Sequence, residues 1–210
     1  MKKKIIFFIL GISCLIIILI GVKLTCFREN LQIEYKNVIM DYERKNIEYP
    51  QIYNMNDESR QQEVNDSIYN LVLSFVEEYD IEQDISYEIT KLDAKAVSII
   101  FTIESIGSSL SDKLFVDYKA VNIDLETGEL IGLNDLVDVE QVYSLFLDGK
   151  YEMIQGVNDV AELDAQLLLD MYSEEPLHLY DFYVTEEGVV IIIMISQGRY
   201  YAFFEIKDLN

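Results

Sequence analysis

Several residue types that build common active sites are scarce in this sequence of 210 residues. It holds one histidine, two cysteines, two prolines and no tryptophan, and 16 basic against 38 acidic residues give a net charge of −22. One histidine excludes a zinc protease and a three-histidine zinc centre, and two cysteines exclude a disulfide-rich scaffold. The shortage of basic residues excludes a general nucleic-acid binder, which needs positive charge to displace counterions.

A long uncharged run lies close to the start of the chain. Three lysines follow Met1, residues 5–22 carry no charge, and Lys23 ends the run. As a helix this run would be about 27 Å long, close to the hydrocarbon thickness of a bilayer. The leading lysines favour a cytoplasmic N-terminus. We therefore predict a cytoplasmic stub at 1–4, a transmembrane helix at 5–22 and an extracytoplasmic module at 30–210.

A cleaved signal peptide is the alternative interpretation of this run. It requires a small-x-small cleavage site, and residues 21–26 offer none. A lipoprotein signal fits poorly, since the uncharged run continues for eight residues beyond Cys14. No cysteine follows Cys26, which suits a bacterial surface. The favoured interpretation is a single-pass protein of a bacterial cell membrane, with its C-terminal domain outside the cytoplasm.

The part beyond Lys23 is strongly acidic. Four of the 16 basic residues lie at or before Lys23, so 12 remain against all 38 acidic residues, a net charge of −26. This charge has two interpretations, a solubilising surface or a surface that binds a basic partner.

Hydrophobic periodicity predicts an α+β fold, a largely antiparallel sheet with packed helices. Apolar residues at helical spacing predict a helix over 64–79, capped by Asn56 or Asp57, and a second helix capped by Asn134 or Asp135. A short helix is predicted at 160–171. Strands are predicted at 31–49, broken by 49–52, and at 85–92, 97–106, 114–125, 179–185, 189–195 and 200–206. We divide the module into sub-regions at about 32–92 and 95–208.

Five segments of the chain resemble a bacterial extracytoplasmic module that appears in sequence families as two adjoining domains of unknown function. The same module is found in lysozyme-sensing anti-sigma factors and in the non-catalytic part of some peptidoglycan deacetylases. The segments are Tyr-Pro-Gln-Ile at 49–52, Val-Asn-Asp-Ser-Ile at 64–68, Ala-Val-Asn-Ile-Asp-Leu-Glu-Thr-Gly-Glu-Leu-Ile-Gly-Leu-Asn-Asp-Leu at 120–136, Phe-Tyr-Val-Thr-Glu-Glu-Gly-Val-Val at 182–190 and Phe-Glu-Ile at 204–206.

The resemblance covers roughly residues 32–208 and bears on fold more than on activity. It implies binding of lysozyme, a very basic protein, as in the anti-sigma factors. Only residues 1–4 precede the predicted anchor, so we expect no sigma-factor-binding domain. The deacetylase catalytic domain needs two histidines, and this chain has one.

Candidate chemistry is sparse. His178 stands near Glu174, Glu175 and Asp181, but a structural histidine is the commoner case, and we predict no metal and no cofactor. No nucleophile elbow and no phosphate-cradling glycine loop occurs. A glycine, a cation and two aromatics stand together after a buried strand. Arg199, Tyr200 and Tyr201 are candidate ligand-binding anchors, or they form with Gly198 a plain strand turn.

These observations favour a membrane-anchored extracytoplasmic binding module that is not an enzyme. Its expected partner is a basic protein such as lysozyme or a cell-wall component, with no nucleic acid. Two alternatives remain. One is a cell-wall-acting hydrolase, which would need a cleft with two carboxylates of unequal pKa. The other is a modulator of another membrane protein, acting through residues 5–22.

Overall fold

The structure is a computed structural model. It describes residues 32–42, 45–78, 82–106, 114–138, 141–142, 144–145, 148, 150–155, 181–195 and 200–206. The predicted transmembrane helix at 5–22 lies outside these residues. In the part of the chain so described, no helix has the length and apolar character to cross a bilayer.

The first sheet has five strands in the order β1-β2-β3-β4-β5. All neighbours are antiparallel except β2 and β3, which run parallel and pair only at Asn46–Asp84 and Ile47–Ile85. Helix α1 forms the crossover between these two strands. The bounds are β1 Glu34–Tyr42, β2 Lys45–Tyr53, α1 Glu58–Glu78, β3 Glu82–Leu92, β4 Ala96–Ile106 and β5 Leu114–Asp124.

The second sheet has four antiparallel strands in the order β6-β9-β8-β7. A short helix α2, Leu133–Leu136, precedes it, and the strands are β6 Tyr151–Gln155, β7 Phe182–Val184, β8 Val189–Ile195 and β9 Tyr200–Ile206. The predicted α+β class with a mostly antiparallel sheet is confirmed. The sheets divide the chain between Asp124 and Tyr151, whereas the predicted sub-region boundary falls in the β3–β4 hairpin.

Helix α1 follows from the sequence pattern that predicted it. The Asp57 carboxylate accepts hydrogen bonds from the backbone N–H groups of Ser59 and Arg60, so Asp57, one of the two predicted caps, is the N-cap. The apolar stripe of the helix is buried against the first sheet and forms the main apolar core on that side of the sheet among the described residues. The stripe and its main partners on β4 and β5 are Val64, Ile68, Val72, Phe75, Val76, Val97, Ile99, Phe101, Ile103, Val121 and Ile123.

The predicted strand break at residues 49–52 is wrong. Strand β2 continues through Pro50, which pairs with Asn37 of β1. The Asn65 side chain of α1 bonds both the N–H and the C=O of Ile52. Alternate residues of a strand direct their backbone groups to the same side, so the backbone groups of Pro50, like those of Ile52, point away from β1. Because β3 pairs with β2 only at Asn46 and Ile47, the missing N–H of Pro50 costs no ladder hydrogen bond.

The second predicted helix begins earlier than expected. Helix α2 starts at Leu133, so neither Asn134 nor Asp135 is its cap. The Asp135 carboxylate instead accepts a hydrogen bond from the Gly132 N–H, one step before the helix. Helical residues recur at 141–142 and 144–145. The short helix predicted at 160–171 lies outside the described residues.

Strand β8 is the central strand predicted for the apolar run at 189–195. It lies between β7 and β9, and Val190, Ile191 and Ile192 are all buried. Consecutive buried residues point to opposite faces of a sheet. Both faces of β8 are therefore covered, which explains why the run lacks alternation.

Candidate functional site: a cleft between the two sheets

The face of the first sheet opposite α1 carries three rows of side chains across β3, β4 and β5. Register aligns the members of the upper and middle rows, and it aligns Ser98 with Asn122 in the lower row. The upper row is Ser86, Thr102 and Tyr118, the middle row is Glu88, Ile100 and Ala120, and the lower row is Thr90, Ser98 and Asn122. The β-bulge between Ile89 and Lys91 lets Thr90 join Ser98 in the lower row.

The lower row, here called the polar ladder, binds the backbone of β7. Strand β7 turns the backbone groups of Asp181 and Thr185 toward β8, so those of Phe182 and Val184 face the polar ladder. Ser98 Oγ accepts from Val184 N–H at 2.8 Å, Asn122 Nδ2 donates to Phe182 O at 2.8 Å, and Thr90 Oγ1 donates to Val184 O at 2.7 Å.

The polar ladder is also bonded internally. Ser98 Oγ donates to Asn122 Oδ1 at 2.6 Å, and both residues are almost fully buried. Each buried polar group therefore has a partner, as buried polar atoms require. The ladder fixes the second sheet on the first by directional bonds.

The middle and upper rows border a cleft between the two sheets, with a volume of about 520 Å³. Ligand pockets typically measure about 300–1,000 Å³. Residues from both sheets line the cleft: Ser86, Tyr87, Glu88, Ile89, Thr90, Ile100, Thr102, Tyr118, Tyr183, Thr185 and Phe203. The described lining residues include one carboxylate, no basic side chain and four aliphatic hydroxyl groups. Of the four aromatic residues, Tyr87 packs its ring against Phe101 in the core on the α1 side of the sheet.

Three of the rings pack against one another and form an aromatic wall of the cleft. The Tyr118 and Phe203 rings meet edge to face with centroids 4.9 Å apart, and Tyr183 lies 6.4 Å from Phe203. Tyr118 comes from β5, Tyr183 from β7 and Phe203 from β9. The wall thus joins both sheets, and it adds packing to the hydrogen bonds of the polar ladder.

Two ionisable groups near the cleft have shifted pKa values. Burial, followed by the negative charges of Glu88 and Glu205, raises the pKa of Tyr183 to about 12. Burial also raises the pKa of Asp181, against the opposing effects of Lys119, 3.9 Å away, and of the Ala120 N–H. The Tyr183 phenol is therefore neutral at physiological pH and lies in a region of negative potential.

The arrangement suits ligand binding. The Ser86 and Thr102 hydroxyls can donate and accept hydrogen bonds. The Thr185 hydroxyl is already bonded to backbone groups of Glu187 and Gly188, and Tyr183 and Phe203 are buried in the apolar cluster between the sheets. Strand β2 pairs with β3 only as far as Ile47 and Ile85, so the described part of β3 beyond Ile85 has no paired strand on that side.

The predicted ligand-binding residues are not part of this cleft as described. Tyr200 and Tyr201 are the first residues of β9 and pair with Ile195 and Met194, at the end of the second sheet. Their side chains, and Arg199 and Gly198 as a whole, lie outside what the structure describes. Their predicted role stays a prediction.

The residues considered for a metal site are only partly described by the structure. His178, Glu174 and Glu175 lie outside the described residues, while Asp181 is described and contacts Lys119. Among the residues with a described placement, no three histidine, cysteine or acidic side chains form a group that could hold a metal ion.

The sequence patterns did not single out five residues of the cleft: Glu88, Thr102, Tyr118, Tyr183 and Phe203. The available signal was the alternation of Ser86, Glu88 and Thr90 against apolar neighbours, which marks one polar face of β3. That pattern places the three side chains on one face, but it does not reveal that a second sheet covers the face.

The fold defines a two-sheet α+β module. No family model matches the sequence, and no curated protein matches it. Solved structures do match. A member of the DUF3298 family from Bacteroides fragilis NCTC 9343 has a TM-score of 0.51 at 10% identity, over 85% of this chain and 90% of that chain.

A DUF3298 family protein from Pseudomonas aeruginosa PAO1 has a TM-score of 0.44 at 10% identity, over 84% of this chain and 90% of that chain. The structural neighbours are thus DUF3298 family proteins, consistent with the predicted tandem module of unknown function. At this identity the likeness concerns the fold alone. The link to anti-sigma factors and deacetylases stays a prediction.

Proposed function

We propose that the chain is a single-pass bacterial membrane protein whose extracytoplasmic module binds a partner without catalysing a reaction. Residues 5–22 form the anchor in this proposal, and residues 30–210 form the module outside the cytoplasm. The observation that carries the binding function is the cleft between the sheets, with its aromatic wall, its hydroxyl groups and the Glu88 carboxylate.

The chemistry of the lining supports binding. Serine and threonine hydroxyls are weak nucleophiles unless a base activates them, and the Thr185 hydroxyl of the lining is already bonded within its own turn. The Tyr183 phenol holds its proton up to a pKa of about 12, so it serves as a neutral donor. These groups recognise a ligand by hydrogen bonds and packing.

Charge supports a basic partner. The part of the chain beyond Lys23 has 12 basic and 38 acidic residues, and the described lining of the cleft has one carboxylate and no basic side chain. Such a surface attracts and orients a positively charged protein. We propose a basic protein such as lysozyme as the partner, with a cell-wall component as the second candidate.

The test is calorimetric titration of the full chain in detergent micelles with hen lysozyme, at low and near-physiological salt. We expect 1:1 binding that persists at the higher salt, because close contacts are screened much less than distant surface charges. No binding, or an attraction that salt abolishes, would reject lysozyme as the partner and direct the search to cell-wall fragments.

A matched pair of variants locates the binding surface. Glu88→Gln removes the cleft carboxylate, whereas Glu126→Gln removes the same charge from the exposed turn after β5. We expect Glu88→Gln to weaken lysozyme binding by about threefold, since Glu88 is itself exposed, and Glu126→Gln to change it by less than about 1.5-fold. Equal effects of the two variants would argue for general charge attraction without a defined site.

A further inference from the structure

We propose that strand β1 pairs with β1 of a second copy of this chain, so that the first sheets of two copies join across a two-fold axis. The two strands run antiparallel, with Asn37 of one copy opposite Asn37 of the other. This surface lies outside the lining of the cleft. The inference goes beyond the proposed function and does not depend on a basic partner.

The first observation is the backbone of β1 at the outer edge of the first sheet. Ile52 directs its N–H and C=O to the Asn65 side chain, away from β1, and Ile52 lies opposite Tyr35. In an antiparallel ladder the backbone groups of Tyr35 then point away from β2, as do those of Asn37 and Ile39. Among the described residues, none bonds these outward groups.

The other outer strands differ from β1 in this respect. The polar ladder already bonds the outer backbone groups of β7. On β5, the Asn122 carbonyl accepts a hydrogen bond from the Ile131 N–H, and the Asp124 N–H donates to Glu129 O. Strand β6 has five residues, whereas β1 has nine. A long open edge can recruit another strand, so β1 is the described edge most suited to pairing.

The exposed apolar residues of β1 identify a second copy as the partner. Tyr35 is 47% exposed and Ile39 is 65% exposed. Both side chains lie on the same face of β1, because they are four residues apart in a strand with no bulge. They stand symmetrically about Asn37, so the two-fold register places Tyr35 of each copy opposite Ile39 of the other. Pairs of an aromatic and a β-branched residue across two strands stabilise a sheet.

The remaining residues of β1 are compatible with this register. The pairs flanking the apolar match are Glu34 with Met40, Lys36 with Val38, and Ile33 with Asp41, each formed twice. No like charges therefore stand directly opposite each other, which would destabilise the pairing. A two-fold contact also occupies the β1 edge of both copies, so the assembly closes at two chains.

Sedimentation equilibrium of the full chain in density-matched detergent micelles measures the association. We expect a monomer–dimer equilibrium with a dissociation constant on the order of 100 μM, because one strand pair makes a small interface. Ile39 and Leu130 offer matched variants, since they are 65% and 64% exposed. Ile39→Lys should weaken the dimer at least about tenfold, and Leu130→Lys should change it less than about twofold. Both variants change the net charge equally.

Cysteine cross-linking tests the register in a background that carries Cys14→Ser and Cys26→Ser. Asn37→Cys places the thiol opposite itself, where a Cα separation of about 5.5 Å suits a disulfide. Tyr35→Cys alone and Ile39→Cys alone should not cross-link, because each thiol is about 13 Å along the strand from its own copy. A mixture of these two variants should form the mixed disulfide.

Three outcomes would overturn the inference. They are a chain that stays monomeric at ten times the expected dissociation constant, equal effects of Ile39→Lys and Leu130→Lys, and self cross-linking of Tyr35→Cys in place of Asn37→Cys. A circular dichroism spectrum of Ile39→Lys that matches the parent shows that its loss of association is local. Lysozyme binding through the cleft should be the same in Ile39→Lys and the parent, so this inference and the proposed function can fail separately.

Discussion

The two faces of the five-stranded sheet are covered in different ways. Helix α1 covers one face with a continuous apolar core in which Ile68, Val72 and Phe101 are fully buried. The second sheet covers the other face with the polar ladder of Thr90, Ser98 and Asn122 and a small apolar cluster. Apolar contacts are non-directional, whereas hydrogen bonds fix a position. The helix side stabilises the fold, and the ladder side holds two sheets at a spacing that leaves a cleft.

The largest expected effect tests the helix side. Phe101→Ala removes a fully buried ring whose centroid lies 5.6 Å from that of Phe75 on α1. We expect a loss of about 3–5 kcal/mol in the free energy of unfolding, measured by denaturant titration of the full chain. Ile39→Ala, at an exposed position of β1, is the control and should cost well under about 1 kcal/mol. A similar cost for both would show that the helix side is not the main core.

An intermediate effect tests the polar ladder. Asn122→Ala removes the donor to Phe182 O and the acceptor of the Ser98 hydroxyl, so two buried groups lose their partners. We expect a cost of about 1–3 kcal/mol. Hydrogen exchange should become faster in β7 and β8 while protection in α1 stays unchanged.

The control for the ladder is Arg60→Ala. Arg60 joins α1 to the turn after β5 by bonding Thr127 O and the Glu63 carboxylate at the surface. We expect less than about 1 kcal/mol from its loss, because exposed ion pairs contribute little. If Arg60→Ala lowered the free energy of unfolding more than Asn122→Ala does, the buried hydrogen bonds of the polar ladder would not be stronger than the surface ion pair.

The smallest effect at neutral pH concerns Tyr183. Its pKa is about 12 in the folded protein and 10.0 in the reference state, so the neutral phenol is favoured by the fold. Stability is unaffected below pH 10 and falls as pH rises from 10 to about 12, because the unfolded chain loses this proton first. Tyr183→Phe should lack this part of the alkaline loss, seen in unfolding curves from pH 8 to 12. An unchanged alkaline profile would contradict the shifted pKa.

The sequence predicted those parts of the fold that depend on local pattern. The amphipathic stripe from Val64 onward, the alternation in β3 and the apolar run of β8 gave correct elements, since helix and strand periods are visible in a single segment. Pro50 was misjudged because its tolerance depends on where β3 stops pairing with β2. The residues around Pro50 carry no information about a partner strand 35 residues away in the sequence.

The site was less predictable than the fold. Thr90, Ser98 and Asn122 are unremarkable in sequence, and their common function depends on a bulge, a register and a strand some 60 residues further on. Tyr183 and Phe203 follow ordinary strand preferences. The composition did indicate an acidic surface, and Glu88 is one member of it, but only the tertiary structure places that carboxylate beside the aromatic wall.

The polar ladder also bears on how the protein avoids aggregation. An edge strand normally presents unpaired N–H and C=O groups that can recruit a strand from another molecule. In β7, three such groups, Phe182 O, Val184 N and Val184 O, are already bonded to side chains of the first sheet. Side chains here occupy the place of a neighbouring strand. The edge of β7 is therefore protected from pairing with a strand of another molecule, and this protection needs neither an extra strand nor a proline.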